Sequence, residues 1–217
     1  MNPALIELII LAGIAVFLFL RLRSVLGTRE GFEKPRMQPK NDAPKRDFKV
    51  IDGGEDKDIT DNVEKNSKSA KALKTIKEKD ETFTVNEFLS GARSAYEWIL
   101  MSFEKNEIDD IRELLSEEVA EAFDSVVEQR ISQGLTIEAE FIGVREMKLV
   151  DASYNSKTNT AEIAVSFIGE MTSVVKNSSG EIVEGDPKQI KRQKDTWTFS
   201  KDIQSSDPNW LLVATGE

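Results

Sequence analysis

Neither cysteine nor histidine occurs anywhere in the 217 residues. Without cysteine there is no disulfide, no thiolate nucleophile and no Cys-ligated zinc. Without histidine the Ser-His-Asp and Cys-His constellations, the usual zinc sites and the commonest general base near neutral pH are all excluded. Any catalysis would have to run on Asp, Glu, Lys, Tyr, Ser or Thr. Aromatic residues are also scarce, at 7%. No glycine-rich phosphate cradle is present: after Gly185-Asp186-Pro187 comes neither a second glycine nor Gly-Lys-Ser/Thr. The Asp-Pro pair suits a type I turn, and the alternation of Thr196, Trp197, Thr198 and Phe199 beyond it predicts a half-buried strand.

The net charge of −10 is unevenly spread. Residues 1–80 hold 16 Lys/Arg and 13 Asp/Glu, whereas 81–217 hold 13 and 26. An acidic C-terminal part argues against a nucleic-acid ligand, which needs clustered Lys and Arg. Adjacent carboxylates at Asp109-Asp110 and Glu117-Glu118 point about 100° apart on a helix and do not converge on a site. The acidic run Asp52 to Asp61 lacks the EF-hand order of Gly at position six and Glu at position twelve. No metal, cofactor or catalytic residue is expected.

Four segments follow from composition and periodicity. Pro3 to Leu20 is apolar except for Glu7, with nothing basic before it and Arg21, Arg23 and Arg29 after it. Residues 1–26 are expected to form a single transmembrane anchor, with Leu5, Ile9, Leu11, Phe17 and Leu20 in the span and Arg21 and Arg23 at its cytoplasmic end. The N-terminus is then outside and the remainder cytoplasmic. Residues 27–64 carry Pro35, Pro39, Pro44 and Gly53-Gly54 with few large apolar residues, and are expected to be a disordered tether. Residues 65–80 form a basic amphipathic helix in which Ala70, Leu73 and Ile76 mark a narrow apolar stripe. Its lysines, Lys65, Lys68, Lys71, Lys74 and Lys77, suit an anionic lipid surface; the alternative is a solvated helix leading into the domain.

Residues 81–217 predict an α+β domain, with N-terminal helices on one face of a curved antiparallel four-stranded sheet. Thr84 and Glu87 form a capping box and Phe83 and Phe88 a hydrophobic staple. Ser116 caps the last helix, Gly134 ends it, and Val119, Phe123, Val126, Val127 and Ile131 give its buried stripe. Strands follow, with a bulge near Val144 to Glu146, turns at Asn155 to Asn159 and Asn177 to Gly180, and Ile163, Val165, Phe167 and Met171 facing inward. Tyr96 and Tyr154 are placed to reach any cavity between sheet and helices, or to pack in the core.

The segments FLSGARSAYEWI, ELLSEEVAEAF, VEGDP, DTWTF and DPNWLLVAT, in this order, resemble the C-terminal domain of the Tim forty-four family over about Phe83 to Thr215. That family is known from the membrane-bound scaffold of the mitochondrial presequence import motor and from single-span proteins of bacteria related to mitochondria. The resemblance implies a cystatin-like or nuclear-transport-factor-two-like fold with a large apolar pocket, for which Tyr96, Phe103, Phe167 and Trp197 are the candidate residues. It implies a role in holding partners, chaperones or membrane-biogenesis components, at the inner membrane. The long translocon-contacting region of the mitochondrial member has no counterpart here, so its partners do not carry over. No presequence is seen, and the expected setting is a bacterial inner membrane. A small-hydrophobic-ligand enzyme of the same fold and a ribosome-associated insertion factor are the alternatives.

Overall fold

The structure is a computed structural model in which residues 56–216 are described. The expected span, and the tether as far as residue 55, lie outside the described residues. Among those that are described, no helix is long and apolar enough to cross a membrane.

The chain enters through a single helical turn, α1 (Lys57–Thr60), capped by the Asp56 carboxylate, which accepts from Asp58 N–H at 3.1 Å. Ile59 is buried on the core. Residues 56–64, expected within the tether, are fastened to the domain by one buried isoleucine and the carboxylate of Asp58. Helix α2 (Lys68–Lys79) starts at the Ser67 cap, whose hydroxyl accepts from Ala70 N–H at 3.0 Å. Leu73 and Ile76 are fully buried where α2 lies on the sheet, and Ser69 donates to the Asp151 carboxylate at 2.7 Å.

Helix α3 (Val85–Glu104) begins as its sequence dictates. Thr84 Oγ1 accepts from Glu87 N–H at 3.1 Å, and the Phe83 and Phe88 rings of the staple stand 6.3 Å apart. The Glu87 side chain does not return to the Thr84 amide; it accepts from the Thr84 hydroxyl at 3.0 Å. The amides of Val85 and Asn86 go instead to Asp58, 27 and 28 residues upstream. Asn106, at φ +62°, turns the chain into a 3-10 helix (Ile108–Leu114) that buries Ile108 and Ile111. Helix α4 (Glu117–Ser132) is capped by Ser116, and Gly134 at φ +66° takes the chain out of it. Only part of its expected stripe is buried. Val119 and Val127 face inward, but Val126 is 41% and Ile131 62% exposed.

Five antiparallel strands follow: β1 (Thr136–Asn155), β2 (Thr160–Lys176), β3 (Ile182–Gly185), β4 (Lys191–Asp202) and β5 (Leu211–Gly216). Their order is β1-β2-β4-β5, with β3 an extra short strand paired to the end of β2; four strands were expected. Register shifts between Phe141 and Gly143, Val144 and Glu146, and Leu149 and Asp151 bend β1, the second at the expected position. Ile163, Val165, Phe167 and Met171 of β2 and Trp197 and Phe199 of β4 are buried beneath the helices. A backbone hydrogen bond from Ser116 N–H to the Leu212 carbonyl, at 2.9 Å, ties the start of α4 to β5. The result is an α+β domain with helices packed on an antiparallel sheet.

Candidate functional site

Three of the four candidate pocket residues meet, but they fill the space between sheet and helices instead of lining it. The Tyr96 ring on α3 stacks on Phe167 with centroids 4.4 Å apart and planes 10° from parallel, and Trp197 closes on it at 4.7 Å. None of the three is more than 4% exposed. The phenol fits because Gly169 lies beneath it: a Cβ there would stand 2.7 Å from the hydroxyl oxygen. The Tyr96 hydroxyl donates to Asp195 Oδ2 at 2.5 Å, and Gln193 Nε2 donates to the other carboxylate oxygen at 3.0 Å. Burial, and after it the hydrogen bond and charge of Asp195, push the phenol's pKa well above its ordinary value.

Asp195 was not singled out from the sequence, although its parity gives it away: it shares the inward face of β4 with Trp197 and Phe199. Phe103 lies apart, against Phe123 at 4.5 Å, with the Arg130 guanidinium over its ring. Arg130 also donates to the Phe103 carbonyl and lies 3.8 Å from Glu104, whose own pKa is raised by burial. Tyr154 donates to Asn159 Oδ1 at 3.0 Å across the β1–β2 turn and belongs to neither cluster.

An open recess lies elsewhere, on the flank of α3. It is a groove of about 460 Å³, within the size range of small-ligand sites. Its wall is an aromatic cluster in which Phe88 stands 4.8 Å from Trp210 and 6.0 Å from Phe199, and Phe83 lies 5.8 Å from Trp210. Gly91 and Ala95, on the same helix as Phe88, contribute small side chains to the lining, and Trp98, 52% exposed, is also part of it. A polar group also lines the groove, where Lys201 lies 3.8 Å from Asp80. The Thr82 hydroxyl and amide and the Lys201 ammonium together hold the Asp80 carboxyl below its usual range against the opposing effect of burial. Neither Tyr96 nor Asp195 borders this groove.

A family model described as the Tim44-like domain matches residues 69–217. The chain belongs to the Tim44-like domain family. No curated protein matches it in sequence. Among solved structures it is similar to the crystal structure of the intermembrane space region of chloroplast protein ARC6, at 9% identity and a TM-score of 0.39, covering 59% of this chain and 94% of that one. That superposition is too loose to carry a functional argument.

The Tim44-like domain begins inside α2, and this changes the place of the lysine helix. Its apolar stripe is used within the fold, Leu73 and Ile76 being wholly buried, so no apolar face remains to enter a bilayer. Lys68, Lys71 and Lys74 fan across the side facing away from the sheet and are exposed. Lys77 is not part of that fan: its ammonium bridges Asp56 at 2.7 Å and Asp58 at 3.0 Å. Lys65, also exposed, precedes the helix.

Proposed function

We propose that this chain is a membrane-tethered scaffold that presents its Tim44-like domain at the cytoplasmic face of a bacterial inner membrane. There it recruits protein partners, chaperones or membrane-biogenesis components, in protein translocation or membrane assembly. Membership of the Tim44-like family supports the membrane-associated part of this reading. The observation that carries the recruiting role is the groove on α3: an open, aromatic-walled recess with a half-exposed tryptophan suits the apolar side chains of a partner. The exposed face of Lys68, Lys71 and Lys74 suits anionic lipid through charge alone.

One observation favours a rival. A buried carboxylate hydrogen-bonded to a tyrosine is the arrangement that an enzyme of this fold would use, and Tyr96–Asp195 is such a pair. Both groups are hydrogen-bonded to protein, however, and the aromatic stack around them leaves the pair a structural part of the core.

A photo-crosslinking residue in place of Trp98, in the full chain in native membranes, separates the readings. Gly91→Leu blocks the groove without disturbing the fold, since a Cβ at Gly91 meets nothing within 4 Å. Adducts with translocation or chaperone components that disappear in Gly91→Leu are the expected result. Adducts that persist unchanged in that variant would remove the groove from the function.

A further inference from the structure

We infer that the outer edge of β1 over Thr136–Phe141 docks an extended segment of a partner protein, which adds there as a further strand with apolar residues towards the helices and basic residues on the opposite face. The sheet has two edges. On the β5 side, Leu115 bridges Leu212, Ser116 N–H donates to the Leu212 carbonyl, and Leu212 is fully buried. On the other side β1 pairs with β2 alone. Towards the end of β1 the Ala152 N–H is taken by Ser69 Oγ at 3.2 Å and Asp151 Oδ1 at 2.9 Å, and three register shifts interrupt the strand between Phe141 and Asp151. Thr136–Phe141 is its longest unbroken run, and among the described residues no hydrogen bond reaches the backbone of that run from the side away from β2. A row of unpaired N–H and C=O groups is a template for another strand.

The two faces of the run decide what the added strand carries. Ile137, Ala139 and Phe141 share the helix-facing side, where Phe141 meets the Tyr96 ring at 6.1 Å, yet all three are only half-buried at the open edge. Met171, the neighbour of Phe141 on the β2 side, is 4% exposed. Apolar residues at every second position of an added strand cover that row. On the opposite face Glu138 and Glu140 are exposed. Glu138 already accepts from Lys176 at 2.6 Å, whereas Glu140 stands opposite Thr172 and makes no ion pair with a described residue. A lysine or arginine set opposite Glu140 is therefore favoured and an acid disfavoured. The same glutamates argue against a second copy as the occupant: pairing two β1 strands antiparallel about Glu138, Ala139 or Glu140 puts a glutamate opposite a glutamate. The surface is separate from the groove on α3, none of whose lining residues belongs to β1, and it does not depend on that groove's role.

The probe is the peptide Lys-Val-Lys-Val-Lys-Val, blocked at both ends and added at millimolar concentration to the full chain in non-ionic detergent, with amide exchange followed by mass spectrometry. A several-fold slowing of exchange over 136–141 is the expected result. It should be absent with Glu-Val-Glu-Val-Glu-Val, and absent with a Lys-Val peptide N-methylated at every amide, which keeps the charges and side chains but has no N–H to donate to a ladder. Glu140→Lys has no ion pair to lose, so it should melt as wild type and bind the Lys-Val peptide several-fold more weakly. Slow exchange over 136–141 before any peptide is added would show the edge already taken, by a second copy or by residues 1–55. Protection at 84–98 in place of 136–141 would put the peptide in the groove. Equal protection by the N-methylated peptide would reduce the contact to charge and apolar area without a strand. Any of these, unchanged binding by Glu140→Lys, or no protection at all would overturn the inference.

Discussion

Replacing Asp58 with alanine removes one carboxylate that holds four groups at once. It accepts from Val85 N–H at 2.8 Å, Asn86 N–H at 3.0 Å, Asn86 Nδ2 at 2.7 Å and the Lys77 ammonium at 3.0 Å. Two of these are first-turn amides of α3, which have no partner within the helix, so the loss is that of an N-terminal cap, ~1 kcal/mol. The acceptor is charged and its side chain only 16% exposed, and hydrogen bonds to charged groups contribute ~1.5–3 kcal/mol. Lys77 keeps Asp56, which limits the damage on that side. A net loss of about 2–4 kcal/mol follows, and a fall in melting temperature of roughly 5–15 °C for a domain of this size.

The assay is thermal and urea unfolding of residues 53–217, wild type against Asp58→Ala, with amide exchange at Val85 and Asn86 as the local readout. The effect has a defined pH window. Burial raises the Asp58 pKa, but the Val85 and Asn86 amides and Lys77 outweigh it, so the folded value lies below the ordinary 3.8. A depressed folded pKa gives stability that is present above the unfolded value and lost as pH falls through the folded one. For Lys77 burial lowers the pKa, and the two carboxylates raise it above 10.5, so its share is present below that value and lost as pH rises through the folded one. The gap between wild type and variant should be flat from about pH 5 to 9 and close in strong acid. A variant melting within a degree or two of wild type, with unchanged exchange at Val85 and Asn86, would refute this account of residues 56–64.

Gly169→Ala should cost about 1–3 kcal/mol by overpacking, since its Cβ would press on the Tyr96 hydroxyl at 2.7 Å. In a Tyr96→Phe background the added cost should be smaller but not zero, because ring carbons remain at 3.2 and 3.3 Å; strictly additive urea-unfolding energies would show that the two do not meet. Lys68→Glu/Lys71→Glu/Lys74→Glu should leave the melt nearly unchanged and abolish salt-sensitive sedimentation with cardiolipin-containing vesicles. Lys77→Glu should do the reverse, lowering stability through Asp56 and Asp58, and equal vesicle binding by the triple variant and by Lys77→Glu would contradict the division between them.

What the sequence made legible is what near neighbours along the chain decide. The Thr84 and Ser116 caps, the Phe83–Phe88 staple, the bulge in β1 and the turns at 155–159 and 177–180 are all local agreements between neighbours, and each stands in the fold. The misplacements share the opposite cause. Asp58 finds its amides 27 and 28 residues away, Ser69 reaches Asp151 across 82, and Tyr96 reaches Asp195 across 99. The stripe of α2 is a different case: Leu73 and Ile76 give the same periodicity whether a sheet or a bilayer covers them, and only the fold reveals the sheet. Val126 and Ile131 continue the apolar period of α4, but the helix turns Val127 to the core and leaves both of them exposed, a choice that packing makes and periodicity does not show. The candidate pocket failed because large aromatics that share one face and have a glycine opposite them pack together and close the space.

The position of Asp58 links the two ends of the scaffold reading. The chain enters the domain at residues 56–58, and the carboxylate found there binds the first turn of α3. Phe88 and Gly91, within the next two turns of that helix, line the groove, and Trp98 lines it further along. A helix resists bending over such a length, so the point of entry and the recess are held at a fixed separation along α3.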